Sequence, residues 1–139
     1  MTIEVFAVCE AAEDQQGRLS LFGTYERISV SQLPLKLSGS TIVLRLRFES
    51  TEGGCHQGCL HCLGPDGYSV MEPIVCSCEI SFPPGAVSAT CNLLLSLPGL
   101  NLREYGEHSF DFYLEGELLA QLPLLIAEPA PRKMAEFSP

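Results

Sequence analysis

The stretch T-I-V-L-R-L-R-F-E, residues 41–49, indicates the fold of this chain. Its even-numbered positions are all large and apolar, whereas its odd-numbered positions include Arg45, Arg47 and Glu49. Successive side chains of a strand point to opposite faces, so this is the pattern of a half-buried β-strand; a helix would scatter the apolar groups around its circumference. We therefore predict a central strand over residues 41–49, with its apolar side in the core.

Most of the chain repeats this two-residue rhythm in short runs that are separated by Gly and Pro turns. The runs cover residues 3–10, 18–30, 56–63, 68–70, 75–82, 88–97, 109–114 and 118–126. About eight strands at intervals of roughly ten residues are typical of an all-β antiparallel sandwich, Ig-like or a related Greek key. We predict one such domain over residues 1–127, followed by a flexible C-terminal tail over residues 128–139. The predicted core comprises Ile42, Leu44, Leu46, Phe48, Leu93, Leu95, Phe110, Phe112, Leu122 and Leu124.

The composition favours extensive burial. A chain of 139 residues can bury one sizeable core without disulfides or metal. Its residues are 46% apolar and only 18% charged, below the usual charged share of about 25%. Either both faces of a sheet are covered within the chain, or part of its surface is buried against another subunit.

Charge and the N-terminal sequence limit the partners and the compartment. The net charge of −9 argues against nucleic acid, whose phosphates it would repel. No run approaches the ~18 apolar residues that a membrane span needs. Glu4 and Glu10 flank a short apolar run that no Lys or Arg precedes, so the N-terminus does not have the pattern of a secretory signal. We predict a cytoplasmic protein.

The seven cysteines are an odd number, which argues against a disulfide framework and for free thiols in a reducing cytosol. Cys55, Cys59, His61 and Cys62 form the only cluster with zinc-ligand chemistry, and Cys76 and Cys78 follow it. Two features oppose a zinc site. In a strand, Cys59 and Cys62 point to opposite faces, and one residue rather than two separates Cys76 from Cys78. We predict no cofactor, with core-filling cysteines, and keep zinc as the alternative.

A disulfide is the other chemistry that the cysteines suggest. The segment Gly64-Pro65-Asp66-Gly67 is the strongest hairpin signal in the chain. If that hairpin continued without slippage, Cys55 would lie opposite Cys76, close enough to bridge. Pro73 interrupts the return strand, however, so the register is open at this point.

The sequence contains no strong candidate for a set of catalytic residues. His108 and Ser109 are adjacent, but neighbouring side chains of a strand diverge, and no Gly-x-Ser-x-Gly elbow is present. Cys59 and His61 share a face of a predicted strand, yet a thiol nucleophile also needs a lowered pKa and a cleft, which the sequence does not display. We predict that the protein is not an enzyme.

Several segments resemble a family of small uncharacterised bacterial proteins, over about residues 2–126. The resemblance implies a compact all-β cytosolic domain with no assigned activity. It also implies that the cysteine cluster is peculiar to this chain, because the family pattern has basic and aliphatic residues at Cys59 and Cys62. The segments that carry the resemblance are I-E-V-F-A-V-C-E-A-A (3–12), G-R-L-S-L-F-G-T-Y-E-R-I (17–28), I-V-L-R-L-R-F-E (42–49), P-D-G (65–67), S-A-T-C-N-L-L-L-S-L-P-G-L (88–100) and G-E-H-S-F-D-F-Y-L-E-G (106–116).

Two function classes follow from these observations. The first is a non-enzymatic binding or self-assembling module of unknown ligand, expected to be a homo-oligomer. It is supported by the low charge, by the apolar groups on both faces of residues 3–10, and by Leu94 on an otherwise polar strand face. The second is a zinc-binding or redox-sensing protein that uses the Cys/His cluster at residues 55–62 together with Cys76 and Cys78.

Overall fold

The computed structural model describes residues 1–130, and strands make up most of them. The segment that we predicted as a C-terminal tail lies outside the described residues beyond position 130. Sheet A has four strands in the spatial order β2 (Arg18–Thr24), β1 (Thr2–Gln15), β5 (Thr41–Glu49) and β8 (Ser88–Ser96). Sheet B has five, in the order β3 (Arg27–Ser29), β11 (Glu117–Ala127), β10 (Gly106–Leu114), β6 (Gly54–Leu63) and β7 (Ile74–Ile80). A third, two-stranded sheet pairs β4 (Leu35–Leu37) with β9 (Leu100–Leu102).

The predicted all-β sandwich is confirmed, with eleven strands rather than eight among the described residues. The predicted run over residues 18–30 is two strands. The chain leaves sheet A after Thr24, next to Gly23 with its φ of +67°, and enters sheet B at Arg27. The three-residue strands β4 and β9 are too short to display a period in the sequence. All strand pairs are antiparallel except β3 with β11.

The central position of β5 is also confirmed. It lies between β1 and β8 in sheet A, and its four apolar side chains are fully buried in one cluster with residues of sheet B. Of the ten predicted core residues, Leu95 and Leu122 are only partly buried; the others are buried. Among residues 1–130, no helix has the length and apolarity that crossing a membrane would require.

A β-bulge between Ile3 and Val5 corrects the predicted faces of β1. Uninterrupted alternation over residues 3–10 predicts Ile3 on the same face as Val5, but the extra residue, Glu4, shifts the alternation. Ile3, Phe6 and Val8 therefore pack against the core, opposite Leu46, Leu44 and Ile42 of β5.

The outer face of sheet A is covered in part by the chain itself. Val43 points away from the core yet is fully buried. The tip of the β1–β2 hairpin lies over this face, where the Gly17 carbonyl oxygen accepts hydrogen bonds from Arg45 (3.3 Å) and Asn92 (3.5 Å). The apolar groups outside the core that suggested a subunit contact, including Leu94 opposite Val43, thus lie on a face that an intramolecular hairpin overlies.

Candidate functional site

The outer face of sheet B carries the cysteine and histidine side chains that are best suited to bind a metal or to act as nucleophiles. Inward-pointing residues of β6 are His56, Gly58, Leu60 and Cys62, whereas Cys55, Cys59 and His61 point outward. The alternation follows from the extended backbone, in which neighbouring residues face opposite sides. The predicted zinc ligands are therefore divided: three lie on the outer face, and Cys62 lies in the core.

Cys59 and His61 are brought together. The Cys59 Sγ lies 3.5 Å from His61 Nε2, and both side chains are partly exposed. The His61 ring packs edge-on against Tyr113 of β10, with ring centroids 5.3 Å apart. The prediction that these two residues share a face is confirmed, and the pair forms a thiol–imidazole contact that is open to solvent.

The remaining cysteines of the predicted cluster lie elsewhere. Cys55 is exposed, four residues along β6 from Cys59, and accepts a hydrogen bond from Gln57 (3.6 Å). Cys55 pairs with Glu79 rather than with Cys76, so the suggested disulfide register was wrong. The physical reason is that the return strand begins only at Ile74, after a turn and a loop over residues 64–73. The longer connection moves the residue opposite Cys55 three positions along β7, from Cys76 to Glu79.

Cys76 and Cys78 point inward on β7, and Cys78 contacts Cys91 of β8 at one margin of the core. Burial, with a smaller effect from Cys91, raises the pKa of Cys78 to about 12. Burial, with the charge of Asp111, raises the pKa of Cys62 to about 12 as well. Thiols held in this way remain protonated at neutral pH, so they are poor nucleophiles and poor metal ligands.

His56 has a structural role at one end of the sandwich. Its ring stacks on Phe48 with centroids 4.6 Å apart. Its Nε2 lies 2.7 Å from the Glu52 carbonyl oxygen, and its Nδ1 lies 3.1 Å from the Glu115 carboxylate. Both ring nitrogens are therefore occupied by hydrogen bonds within the chain.

A carboxylate lies across the strand from His61 but binds other groups. Asp111 of β10 is opposite His61 in the register and is nearly buried. Its carboxylate accepts hydrogen bonds from the Ser109 hydroxyl and from the Gln121 amide (3.2 Å). No ion pair between His61 and a carboxylate is present in residues 1–130. The Cys59–His61 contact thus lacks the hydrogen-bonded orienting group of a catalytic triad.

An exposed apolar row crosses sheet B at the level of Cys59. The strand register aligns Val75 of β7, Cys59 of β6, Tyr113 of β10 and Leu118 of β11 side by side. Val75 is 74% exposed and Leu118 is 46% exposed. We call these four residues the apolar row.

Sequence reasoning missed this row. Val75 is out of phase with the inward-facing Cys76 and Cys78, which could have indicated it. Leu118 is in phase with the buried Leu124, and only the register shift between Phe112 and Tyr113 turns it outward.

A second polar feature lies at the opposite end of the sandwich from His56. His108 is buried, in phase with Phe110 and Phe112, while Ser109 points outward, as predicted for neighbours in a strand. The His108 Nδ1 donates to the Gly106 carbonyl oxygen (3.1 Å), and Nε2 has no hydrogen-bond partner in the described part of the chain. The ring lines a cavity of about 70 Å³ with polar neighbours, among them Asp66, Arg103 and Glu104. A space of that size has room for one or two waters, and a water there could donate a hydrogen bond to Nε2.

Comparison with known proteins supplies a family but no function. A family model described as a family of unknown function, DUF6941, matches residues 4–127. No curated protein and no solved structure matches the chain significantly. The sequence resemblance to an uncharacterised all-β family is thereby confirmed. Because the match covers almost the whole chain, this protein belongs to the family DUF6941.

Proposed function

We propose that this protein is a non-enzymatic β-sandwich module that binds a second copy of itself through the outer face of sheet B. The observation that carries the proposal is the apolar row, which runs across four strands with Val75 74% exposed and Leu118 46% exposed. Contiguous apolar groups that a monomer leaves in water are typical of interaction surfaces. On a two-fold axis, the same row on each copy is complementary to itself.

The charge distribution supports an apolar contact between copies. Charged residues are only 18% of the chain, below the usual share of about 25%, so burial of surface against a second copy removes fewer charges from water than in an average protein. The net charge of −9 makes two copies repel each other at long range, and salt screens that repulsion. The same negative charge disfavours nucleic acid as a partner.

The proposal also includes the cellular compartment of the protein. All seven cysteines are free thiols, although Cys78 and Cys91 lie in contact across the two sheets. Free thiols are typical of reducing compartments. We therefore place the protein in the cytoplasm, and from the sequence resemblance we infer a bacterial source.

Light scattering of protein in chelator and reductant tests the proposal. We expect a particle of twice the chain mass at micromolar concentration. Added salt should lower the dissociation constant of the dimer, because it screens the repulsion between the two copies. Val75→Lys should produce monomers, because it places a charge at the most exposed position of the row, which the contact would bury. Val87→Lys is the matched control, because Val87 is equally exposed (77%) but lies outside sheet B. A wild-type monomer, or a dimer that Val75→Lys leaves intact, would refute this interface.

A second candidate function is zinc binding or redox sensing, and the 3.5 Å Cys59–His61 contact favours it. The ligand set within one chain that the sequence suggested is divided between the two faces of β6. Metal analysis of reduced, tag-free protein decides whether any zinc is retained.

A further inference from the structure

Cys59 and His61 have the separation of two ligands in a tetrahedral zinc site. With Zn–S near 2.3 Å and Zn–N near 2.05 Å, a tetrahedral angle puts the sulfur and the nitrogen about 3.6 Å apart. The Cys59 Sγ and His61 Nε2 are 3.5 Å apart without any metal. The two ligand atoms thus form one preorganised edge of a zinc tetrahedron.

The other two ligands of a closed site do not come from the described part of the same chain. Within residues 1–130, no three His, Cys, Asp or Glu side chains are grouped closely enough to hold a metal ion. Cys62 lies in the core on the other side of β6, and both nitrogens of His56 are engaged in hydrogen bonds. A structural zinc site needs four ligands.

The apolar row indicates where the missing ligands are found. Cys59 is itself a member of the row, between the exposed Val75 and Tyr113. Two sheets that stack face to face are about 10 Å apart, so the midplane lies about 5 Å from each. A cysteine side chain together with its zinc bond reaches about that far. A two-fold axis close to Cys59 would therefore bring the Cys59–His61 pairs of both copies to one zinc ion.

We propose that two copies of this chain share one zinc ion between their sheet-B faces, each copy supplying Cys59 and His61. Zinc binding displaces two thiol protons, so the Zn²⁺ charge is balanced by two thiolates and the Cys₂His₂ site is neutral. A neutral site is compatible with burial in the apolar row, where an uncompensated charge would be costly. This inference rests on the self-association proposed above.

Titration of tag-free, reduced, metal-free protein with zinc tests the inference. We expect one zinc per two chains, and dimers that are at least tenfold tighter with zinc than with chelator. Cobalt(II) should give the intense visible bands of a tetrahedral thiolate site. Cys59→Ser and His61→Gln should each remove those bands and weaken zinc binding at least a hundredfold. Cys55→Ser is the control, because Cys55 lies on the same face of the same strand and should leave the titration unchanged.

The outcomes separate this inference from the proposed function. A metal-free dimer that Val75→Lys dissociates and that binds no zinc would overturn the shared site and leave self-association standing. A chain that is monomeric in chelator and dimeric with zinc would support the shared site and overturn metal-free association. One zinc per chain, or zinc binding that Cys59→Ser does not weaken, would refute the shared Cys₂His₂ site.

Discussion

Glu4 of β1 and Arg45 of β5 face each other across the two middle strands of sheet A, with Glu4 Oε1 3.0 Å from Arg45 Nε. The bulge at Glu4 makes this contact, because the extra residue turns the carboxylate to the same side as the arginines of β5. Arg47 donates to the second carboxylate oxygen. One acid thereby binds two bases on a face that the neighbouring hairpin tip covers in part.

This contact predicts a pH dependence of stability. The hydrogen bond from Arg47, followed by that from Arg45, holds the pKa of Glu4 below its usual value of 4.5. The ionised form therefore stabilises the fold above that usual value, and the contribution disappears as the pH falls through the lower folded-state pKa. Urea denaturation should show wild type more stable than Glu4→Gln at pH 7, with the difference shrinking towards pH 3. The difference should be smaller at every pH when Arg47 is already Gln; an unchanged difference would contradict the contact.

Phe112 should be a major contributor to the core. It is fully buried in the cluster that joins the two sheets. Phe112→Ala should destabilise the protein by about 3–5 kcal/mol through lost burial and a residual cavity. Phe22→Ala, at a 72% exposed position, should change stability by no more than about 0.5 kcal/mol. A loss below about 1 kcal/mol for Phe112→Ala would contradict the assigned inward face.

Gly58 offers a test in which two effects oppose each other. Alanine usually stabilises a strand interior relative to glycine by about 0.5–1 kcal/mol. At this site an added Cβ would lie 2.9 Å from the Cys76 Sγ and 3.1 Å from the Phe112 ring. We expect the crowding to dominate, so Gly58→Ala should cost about 1–3 kcal/mol in chemical denaturation. The cost should fall in a Cys76→Ala background, and a stabilised single variant would show that the site has room.

Thiol reactivity should follow the two faces of sheet B. Only the thiolate reacts with alkylating reagents, and a pKa of about 12 instead of 9.0 leaves Cys62 and Cys78 about a thousandfold less thiolate. In native protein at pH 8, iodoacetamide should modify Cys55 and Cys59 well before either of them. Peptide mass spectrometry over time measures the order, and urea-unfolded protein is the control in which all sites become accessible. Native Cys62 reacting as fast as Cys55 would contradict its buried position.

The two-residue period was sufficient to predict the sandwich and most of its core. In β5 the alternation is uninterrupted, and each apolar position is buried as predicted. In β1 the same reasoning gave the wrong faces after Ile3, because a bulge changes the phase without changing the composition. The register of β6 with β7 could not be predicted from the sequence either, because the length of the loop after Gly67 decides which residue faces Cys55.

The candidate site was predictable only in part. That Cys59 and His61 share a strand face follows from their spacing of two, and the separation of Cys59 from Cys62 follows from a spacing of three. The neighbours on β7, β10 and β11 depend on strand order, which no local pattern specifies. Tyr113 and Leu118 became part of the same surface only because β10 and β11 lie beside β6 in that order.

The hairpin tip on the outer face of sheet A limits the surface through which further copies could associate. Two copies joined through sheet B would turn their sheet-A sides outward, and on each of them Gly17 is already bound to Arg45 and Asn92. A third copy would contact the tip of the β1–β2 hairpin rather than an uncovered sheet face. Face-to-face stacking of sandwiches would therefore end at a closed dimer. A sandwich with two uncovered sheet faces could instead continue to stack into an open-ended fibre.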